Sequence, residues 1–463
     1  MKKTFQNKRR IKIREETRKR LSKRNQKHFD RTLIGMKKLD LLQRRLFRIR
    51  RRHHVNHDNI EIKQEKPMGN PSLFQGDIIL TEMQIDHIVN DIEIQARRKG
   101  IDISDIETKK ERKRRRKRAI VTYDYLNWTF PIHYYVDKGV DEKKVDLALA
   151  GLEEETCVRF KKNLQPEDDK PGLKYYYGKG CWSFLGKTSD STPQDISIGD
   201  ECDKNGVIQH ETAHALGVYH QQARPDRDNF VSINISNIIP NTERNFIKES
   251  VRNASDYGIA YDYGSAMHYR RTDFSMNGDE TINSKTHKLN EKSMGQVQKL
   301  SFNDIKLINY KYCNQTCTYK KECYNGGYQN PNDCDSCKCS FGWKGITCQE
   351  KVLNHSLCGI QEFEAMKASK KLTINGAKDC YYYITAKKGY KINVHVLSTK
   401  LEEFDPCYIG VGVEVKYKKD KTSTGIKICG NIMNQVIKSE DNNIIIHYQG
   451  VNGNTFNFSY IRI

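Results

Sequence analysis

The sequence predicts a multidomain chain: a basic N-terminal segment, a central part that mixes helices and strands, a small disulfide-rich module and an all-β sandwich. Three observations lead there. The 463 residues suffice for about three domains at roughly 150 residues each. All 14 cysteines lie between Cys157 and Cys429, so the first third of the chain has none. Residues 358–463 carry period-two segments such as YKINVHVL, NNIIIHYQG and FNFSYIRI, the alternation of sandwich strands.

Charge divides the chain again. Residues 1–118 hold 36 Lys and Arg against 16 Asp and Glu, a net of +20 out of +22 for the whole. The excess suggests a nucleic-acid or anionic-membrane partner only if that segment persists in the working protein. Without it the remainder is close to neutral, and no nucleic-acid partner is expected. Mean hydropathy is −0.80, and no run of about 18 apolar residues exists, so no membrane span is expected. An even number of clustered cysteines reads as a disulfide framework made in an oxidising compartment. Six N-x-[ST] sequons agree, at Asn127, Asn234, Asn253, Asn314, Asn354 and Asn457. The N-terminus MKKTFQNKRRIKIREETRKR has the positive region of a signal peptide without the apolar stretch. The expectation is a secreted, extracellular protein whose true start is missing or misassigned in this sequence.

In order along the chain, residues 1–66 show no sustained apolar period and are expected to be disordered or weakly helical. In LTEMQIDHIVNDIEIQARR (80–98), Ile85, Ile88, Val89, Ile92 and Ala96 share one helical face, which predicts a short helix. The run KKERKRRRKR ends at Arg118. From Ala119 the composition changes: WTFPIHYYVD reads as a strand, VDLALAGLEEETCVRF as an amphipathic helix, and DISIGDEC as a strand leading to a turn. NGVIQHETAHALGVYHQQ reads as a helix stopped at Gly217. Residues 314–349 are rich in Cys and Gly and nearly free of aliphatics.

The chemistry concentrates in His210-Glu211-Thr212-Ala213-His214-Ala215-Leu216-Gly217-Val218-Tyr219-His220. On a helix, i and i+4 lie on one face, so His210 and His214 can aim at one ion. Gly217 permits a backbone conformation closed to most residues, so the chain can turn back and bring in His220. Three protein ligands leave room for a water on Zn²⁺, one ion per chain. The metal brings that water's pKa to about 7. Glu211, beside His210, can take its proton and pass it on. A bare HExxH also occurs in structural helices; Gly217 and His220 are what make the motif specific.

HETAHALGVYHQQARPDRD resembles the signature of the astacin family within the metzincins, and Ser265-Ala266-Met267-His268-Tyr269 resembles its Met-turn, with Met267 lying 47 residues beyond His220. The resemblance implies an α+β metzincin protease domain over 119–313, a twisted sheet plus an active-site helix, acting as a zinc metalloendopeptidase on extracellular protein substrates. It places Met267 beneath the zinc. It makes Tyr269 a flexible zinc ligand that swings away to hydrogen-bond the oxyanion of the tetrahedral intermediate. Trp128 and Pro131-Ile132-His133-Tyr134 match the start of the mature fold. The implied bridges are Cys157–Cys313 and Cys181–Cys202. One departure stands out: the family's Glu after the third His is Gln221 here, a neutral amide that cannot pair with the charged amine of Ala119.

That amine would arise by processing. Arg115-Arg116-Lys117-Arg118 fits the pattern read by furin-like proteases, with cleavage between Arg118 and Ala119; the alternative is a nuclear-localisation or polyanion-binding run. Phe74-Gln75-Gly76-Asp77 (74–77), 41 residues before Arg118, resembles the family's aspartate switch. There the carboxylate takes the water's place on zinc and keeps a zymogen silent, so residues 1–118 are expected to be a propeptide. Cys317, Cys323, Cys334, Cys337, Cys339 and Cys348 resemble an EGF-like module over 314–349, with a zinc-binding Cys cluster as the alternative. By resemblance alone the pairs are 317–334, 323–337 and 339–348. Cys358, Cys380, Cys407 and Cys429 resemble those of a CUB domain over 358–463, with pairs 358–380 and 407–429 implied. Protein or glycan ligands are open for both modules. The order propeptide, protease, EGF-like, CUB resembles nematode astacins.

Overall fold

The computed structural model describes residues 2–46, 68–70, 72–106, 126–165, 167–251 and 254–463. The processing site Arg118–Ala119 and the sequon at Asn253 lie outside them.

The N-terminal segment departs from its sequence expectation. It forms α1 (Lys2–Arg20) and α2 (Lys23–Leu46). Helix α2 buries Phe29, Thr32, Met36, Leu39, Leu42 and Gln43. With Asn25 and Gly35 also buried, this face recurs every three or four residues, but basic and polar residues crowd the other faces and Asn25, Thr32 and Gln43 on it are themselves polar, which hides the stripe. After β1 (Ile78–Ile79), α3 (Glu82–Arg98) forms where the apolar period placed it. Thr81 caps it: its hydroxyl accepts from Gln84 N, while Gln84 Oε1 accepts from Thr81 N, so two orphan amides are satisfied. Ile85, Ile88, Val89, Ile92 and Ala96 pack on Met36, Leu39 and Leu42. Helices α2 and α3 cross where Gly35 lacks a side chain; a Cβ there would stand 2.1 Å from Ile85 Cγ1.

The central domain is built on β2 (Ile132–Val136), α4 (Glu142–Glu155), β3 (Phe160–Lys162), β4 (Gly172–Tyr176), β5 (Cys181–Phe184), β6 (Pro193–Ile198) and α5 (Asn205–Ala215). The strands form one sheet in the order β1-β5-β6-β4-β2-β3. All neighbours are parallel except β5 and β6. Helix α4 ends at Glu155, short of the predicted 160, because the chain turns there into the Cys157–Cys313 bridge and then β3. The core lies between the sheet and helices α4 and α5, with Val145, Leu149, Leu152, Tyr175, Ile196, Ile208 and Leu216 buried in it. A small β7 (Val231–Ile233) and β8 (Ile282–Ser284) pair follows, then α6 (Phe302–Tyr312).

The two remaining units match the fold classes expected of them. Residues 317–348 hold three disulfides, 317–334, 323–337 and 339–348, around two short antiparallel pairs: β9 (Tyr328–Asn330) with β10 (Asp333–Lys338), and β11 (Trp343–Lys344) with β12 (Glu350–Lys351). The final unit is a sandwich of nine strands, β13 (Glu362–Glu364) to β21 (Thr455–Arg462). Between them run β14 (Lys370–Asn375), β15 (Lys378–Thr385), β16 (Ile392–Lys400), β17 (Gly412–Lys416), β18 (Ile426–Ile428), β19 (Met433–Lys438) and β20 (Asn443–Gly450). One sheet has the order β13-β15-β20-β17-β18 and the other β14-β21-β16-β19. Cys358 pairs with Cys380 and Cys407 with Cys429, and no cysteine is free. The Asn354 amide is occupied, accepting from Tyr381 N and donating to Tyr381 O at 2.7 Å each, which opposes a glycan there. Among the described residues no helix is long and apolar enough to cross a membrane.

Candidate metal centre

Helix α5 runs under the sheet and is tied at both flanks. Thr212 Oγ1 lies 2.8 Å from the Tyr175 hydroxyl of β4. At its C-terminal end the orphan carbonyls are satisfied from elsewhere. Trp128 Nε1 donates to Ala215 O, Lys311 Nζ and Tyr312 OH both donate to Leu216 O, and Gly186 N donates to His214 O, all at 2.8 Å. Gly217 then takes φ +88°, a left-handed conformation closed to most side chains, and the chain reverses as the motif requires.

This brings four buried side chains together. One ligand atom each of Asp77, His210, His214 and His220 lies within 4.8 Å of all the others. Asp77 Oδ2 is 3.4 Å from His210 Nε2 and 3.2 Å from His220 Nε2, and Oδ1 is 3.7 Å from His214 Nε2. Each imidazole is oriented through its other nitrogen. His210 Nδ1 donates to Ala266 O at 2.8 Å, His214 Nδ1 to Val218 O at 2.8 Å and His220 Nδ1 to Gln75 Oε1 at 2.9 Å. A donor at Nδ1 leaves the lone pair on Nε2, facing the centre.

The donor set fits zinc. The Nε2 atoms of His210 and His214 and both Asp77 oxygens are buried without a hydrogen-bond partner. Buried polar atoms are rarely left so, and one cation among them would engage all four. Burial disfavours charge on His214, and the neighbouring His210 and His220 add to this, so its pKa lies well below the usual value and the ring stays neutral, as a ligand must. Burial also opposes the Asp77 charge, yet the three imidazoles, His220 foremost, hold its carboxyl well below the usual range. Glu211 is fully buried with neither oxygen hydrogen-bonded; burial first, then the Asp77 charge, push its carboxyl well above the usual value.

The floor is the segment 261–269. Met267 is buried in the domain core, and its carbonyl accepts from Gln221 N at 2.8 Å, next to His220. Tyr269 packs edge-on to His220 at 4.9 Å, and its hydroxyl donates to Gln75 O at 2.5 Å. Gln221 itself lines a cavity of about 460 Å³ with His220, Leu126, Asn127 and Lys311. Of these residues, sequence reasoning overlooked Gln75, which sits at φ +47° and engages both His220 and Tyr269. It also overlooked Asp304. The S-x-x-D capping box at Ser301–Asp304 was its visible signal: Asp304 caps α6 and holds Ser265 Oγ at 2.6 Å and Ala266 N at 2.9 Å.

Comparison with known proteins agrees with this geometry. The model of the astacin peptidase family matches residues 120–313, and the CUB domain model matches residues 360–460. The chain is 36% identical to zinc metalloproteinase nas-34 of Caenorhabditis elegans, over 86% of this chain and 65% of that one. It is 33% identical to zinc metalloproteinase nas-23 of the same nematode, over 80% of this chain and 68% of that one. Among solved structures, high choriolytic enzyme 1, a hatching enzyme zinc-protease from the medaka fish Oryzias latipes, is 30% identical with a TM-score of 0.37, covering 42% of this chain and 98% of that one. The chain spans only 65%, 48% and 48% of the length of nas-34, nas-37 and nas-30 of C. elegans.

Proposed function

This chain belongs to the astacin family of zinc peptidases, and on that premise we propose that it is an endopeptidase made as a zymogen, which hydrolyses peptide bonds of extracellular proteins. The observation that carries the reading is the convergence of three imidazoles and one carboxylate on a single point, with the Glu211 carboxyl buried within reach of the Asp77 charge.

His210, His214 and His220 hold the metal, which when bound polarises the scissile carbonyl and lowers the pKa of water. Glu211 accepts the proton of the attacking water and hands it to the leaving amine. Tyr269, released from Gln75 O, donates its hydroxyl to the oxygen on which charge develops. Asp77 occupies the reaction space in the uncut chain, and β1 behind it fills the open edge of β5, Ile78 opposite Ser183 and Ile79 opposite Phe184. Once residues 1–118 leave, that edge is free to add an extended substrate as a strand. A furin-like protease cutting after Arg118 would start this. The seven disulfides support assembly in an oxidising, secretory compartment.

The test is hydrolysis of a protein substrate by the processed protein, beside Glu211→Gln, each with and without a zinc chelator. Activity that vanishes with chelator and in the variant supports the reading. A folded, zinc-loaded, processed parent without activity overturns it.

A further inference from the structure

The segment 261–269 links the metal ligands to the C-terminal sandwich. At its far end it meets the ligands: Ala266 O fixes His210 and Met267 O fixes Gln221 N. At its near end, the protease domain supplies Gln296, whose Nε2 donates to Gly264 O at 2.8 Å, and Phe230 O, which accepts from the Tyr263 hydroxyl at 2.8 Å. Thr286 Oγ1 meets the Tyr263 hydroxyl at 3.0 Å, and Asp304 holds Ser265 and Ala266 further on. Further ties come from the turn between β17 (Gly412–Lys416) and β18 (Ile426–Ile428) of the sandwich. Lys418 is 8% exposed; its ammonium donates to Tyr261 O at 3.2 Å and stands 4.7 Å from the centre of the Tyr263 ring. Thr424 N donates to Asp262 Oδ1 at 3.0 Å, the same oxygen that accepts from Gly264 N at 3.0 Å. The fit is close: a Cβ on Gly264 would lie 2.5 Å from Thr424 Cγ2. From the near end, the Tyr261 hydroxyl reaches His268 Nε2 at 2.8 Å, inside the Met-turn.

We propose that Lys418 and Thr424 are positioning residues for the metal centre: the sandwich braces the strap that carries Ala266 and Met267, and full zinc retention and turnover require it docked. A buried ammonium on a backbone carbonyl is costly to place and costly to lose, because the carbonyl is then left without its partner. The strap is irregular, with no strand partner between 261 and 269, so its geometry depends on such ties. Shifting Ala266 O would loosen the hydrogen bond that fixes the His210 ring, and outer partners of ligating histidines typically carry a 10–100-fold effect. The inference rests on reading the site as a zinc peptidase centre.

The experiment uses the processed full-length protein with Lys418→Met, Gly264→Ala and, as an exposed control of equal charge change, Lys419→Met. Three quantities are read: the rate of zinc loss to a chelator, the absorption spectrum of the cobalt-substituted centre, and kcat and KM on one peptide. Lys418→Met and Gly264→Ala are expected to lose zinc about tenfold faster and to lower kcat about tenfold with KM unchanged, with an altered cobalt spectrum. Lys418→Arg, which keeps a donor, should recover part of each, and Lys419→Met should match the parent. Either variant suffices if the other does not fold. Parental zinc loss, spectrum and kcat in the folded variants, with only the melting temperature lowered, overturn the brace. A parent that hydrolyses nothing, while the variants still lose zinc faster, overturns the peptidase reading and leaves the brace standing.

Discussion

The N-terminal segment and the C-terminal sandwich both grip the central domain, at different distances from the metal centre. The N-terminal segment reaches the metal centre itself, through Asp77 and Gln75, and is held around it by separate polar contacts. Asn25 donates to Asp195 at 2.9 Å, Asp40 meets Arg244 at 2.9 Å, Ser250 donates to Asp91 at 2.8 Å, and Arg24 donates to Ser189 at 2.7 Å. Leu21, Phe29, Leu73 and Ile79 form an apolar cluster with Tyr176, Trp182 and Phe184, and Phe74, Ile78 and Leu80 share another with Leu185 and Ile247. The sandwich never touches a ligand. It takes Leu289 of the protease domain into its own core cluster, and it ties Cys407 N to Lys292 O and Asn290 to the Tyr417 hydroxyl. The difference is one of place: the N-terminal segment meets the ligands themselves, and the sandwich meets the strap behind them.

The comparison can be broken at several points. The largest effect is at the centre that both regions serve: Glu211→Gln should lower kcat of the processed enzyme by about 10³-fold, in steady-state peptide hydrolysis, and so set the floor for every other variant. Truncation comes next. Phe29→Ala should destabilise the uncut chain by about 3 kcal/mol, and Leu289→Ala should cost it about 2–3 kcal/mol. Denaturant titrations of the uncut protein measure both, and an unchanged stability for Phe29→Ala would mean that this contact adds nothing to the hold of the N-terminal segment.

The latch itself is smaller. In an uncut chain protected by Arg118→Ser, Asp77→Ala should raise peptide hydrolysis about 50-fold above the Asp77 parent, within the range of coupling between sites. An unchanged rate would mean that the rest of the propeptide blocks the cleft without its carboxylate. The smallest effect is a pH dependence. Burial pushes the Asp195 carboxyl up to about 6 where the Asn25 amide meets it. A folded value above the unfolded one means that its stabilising contribution is complete below about pH 4 and lost as pH rises through about 6. The uncut parent should therefore melt below Asp195→Asn at pH 7, and the gap should close between pH 6 and 4. A gap independent of pH would show that Asp195 does not titrate there.

Much of the centre was legible because its residues are close in sequence. His210, Glu211, His214, Gly217 and His220 fall within 11 residues, and helix periodicity with one left-handed glycine suffices to converge them. Helix α3 was legible because its apolar face is unbroken, and α2 was not, because its buried face includes Thr32 and Gln43 among basic neighbours. Local rules also fail where one residue serves two elements. Asp304 reads as a helix cap, but its carboxylate also carries the Met-turn, 38 residues away in sequence.

The three histidine ligands and the even, clustered cysteines were legible from residue chemistry and short-range spacing, and the pairing of those cysteines from family resemblance. Only the tertiary structure decided what holds the ligands in place. The partners of their outer nitrogens are a side chain of the N-terminal segment, Gln75, and two backbone carbonyls, Ala266 and Val218. Backbone carbonyls carry no residue identity, so no motif can announce them. Lys418 and Thr424 reach Tyr261 and Asp262, just before the Met-turn, from more than 150 residues downstream, and that approach exists only once the sandwich has folded against the protease domain.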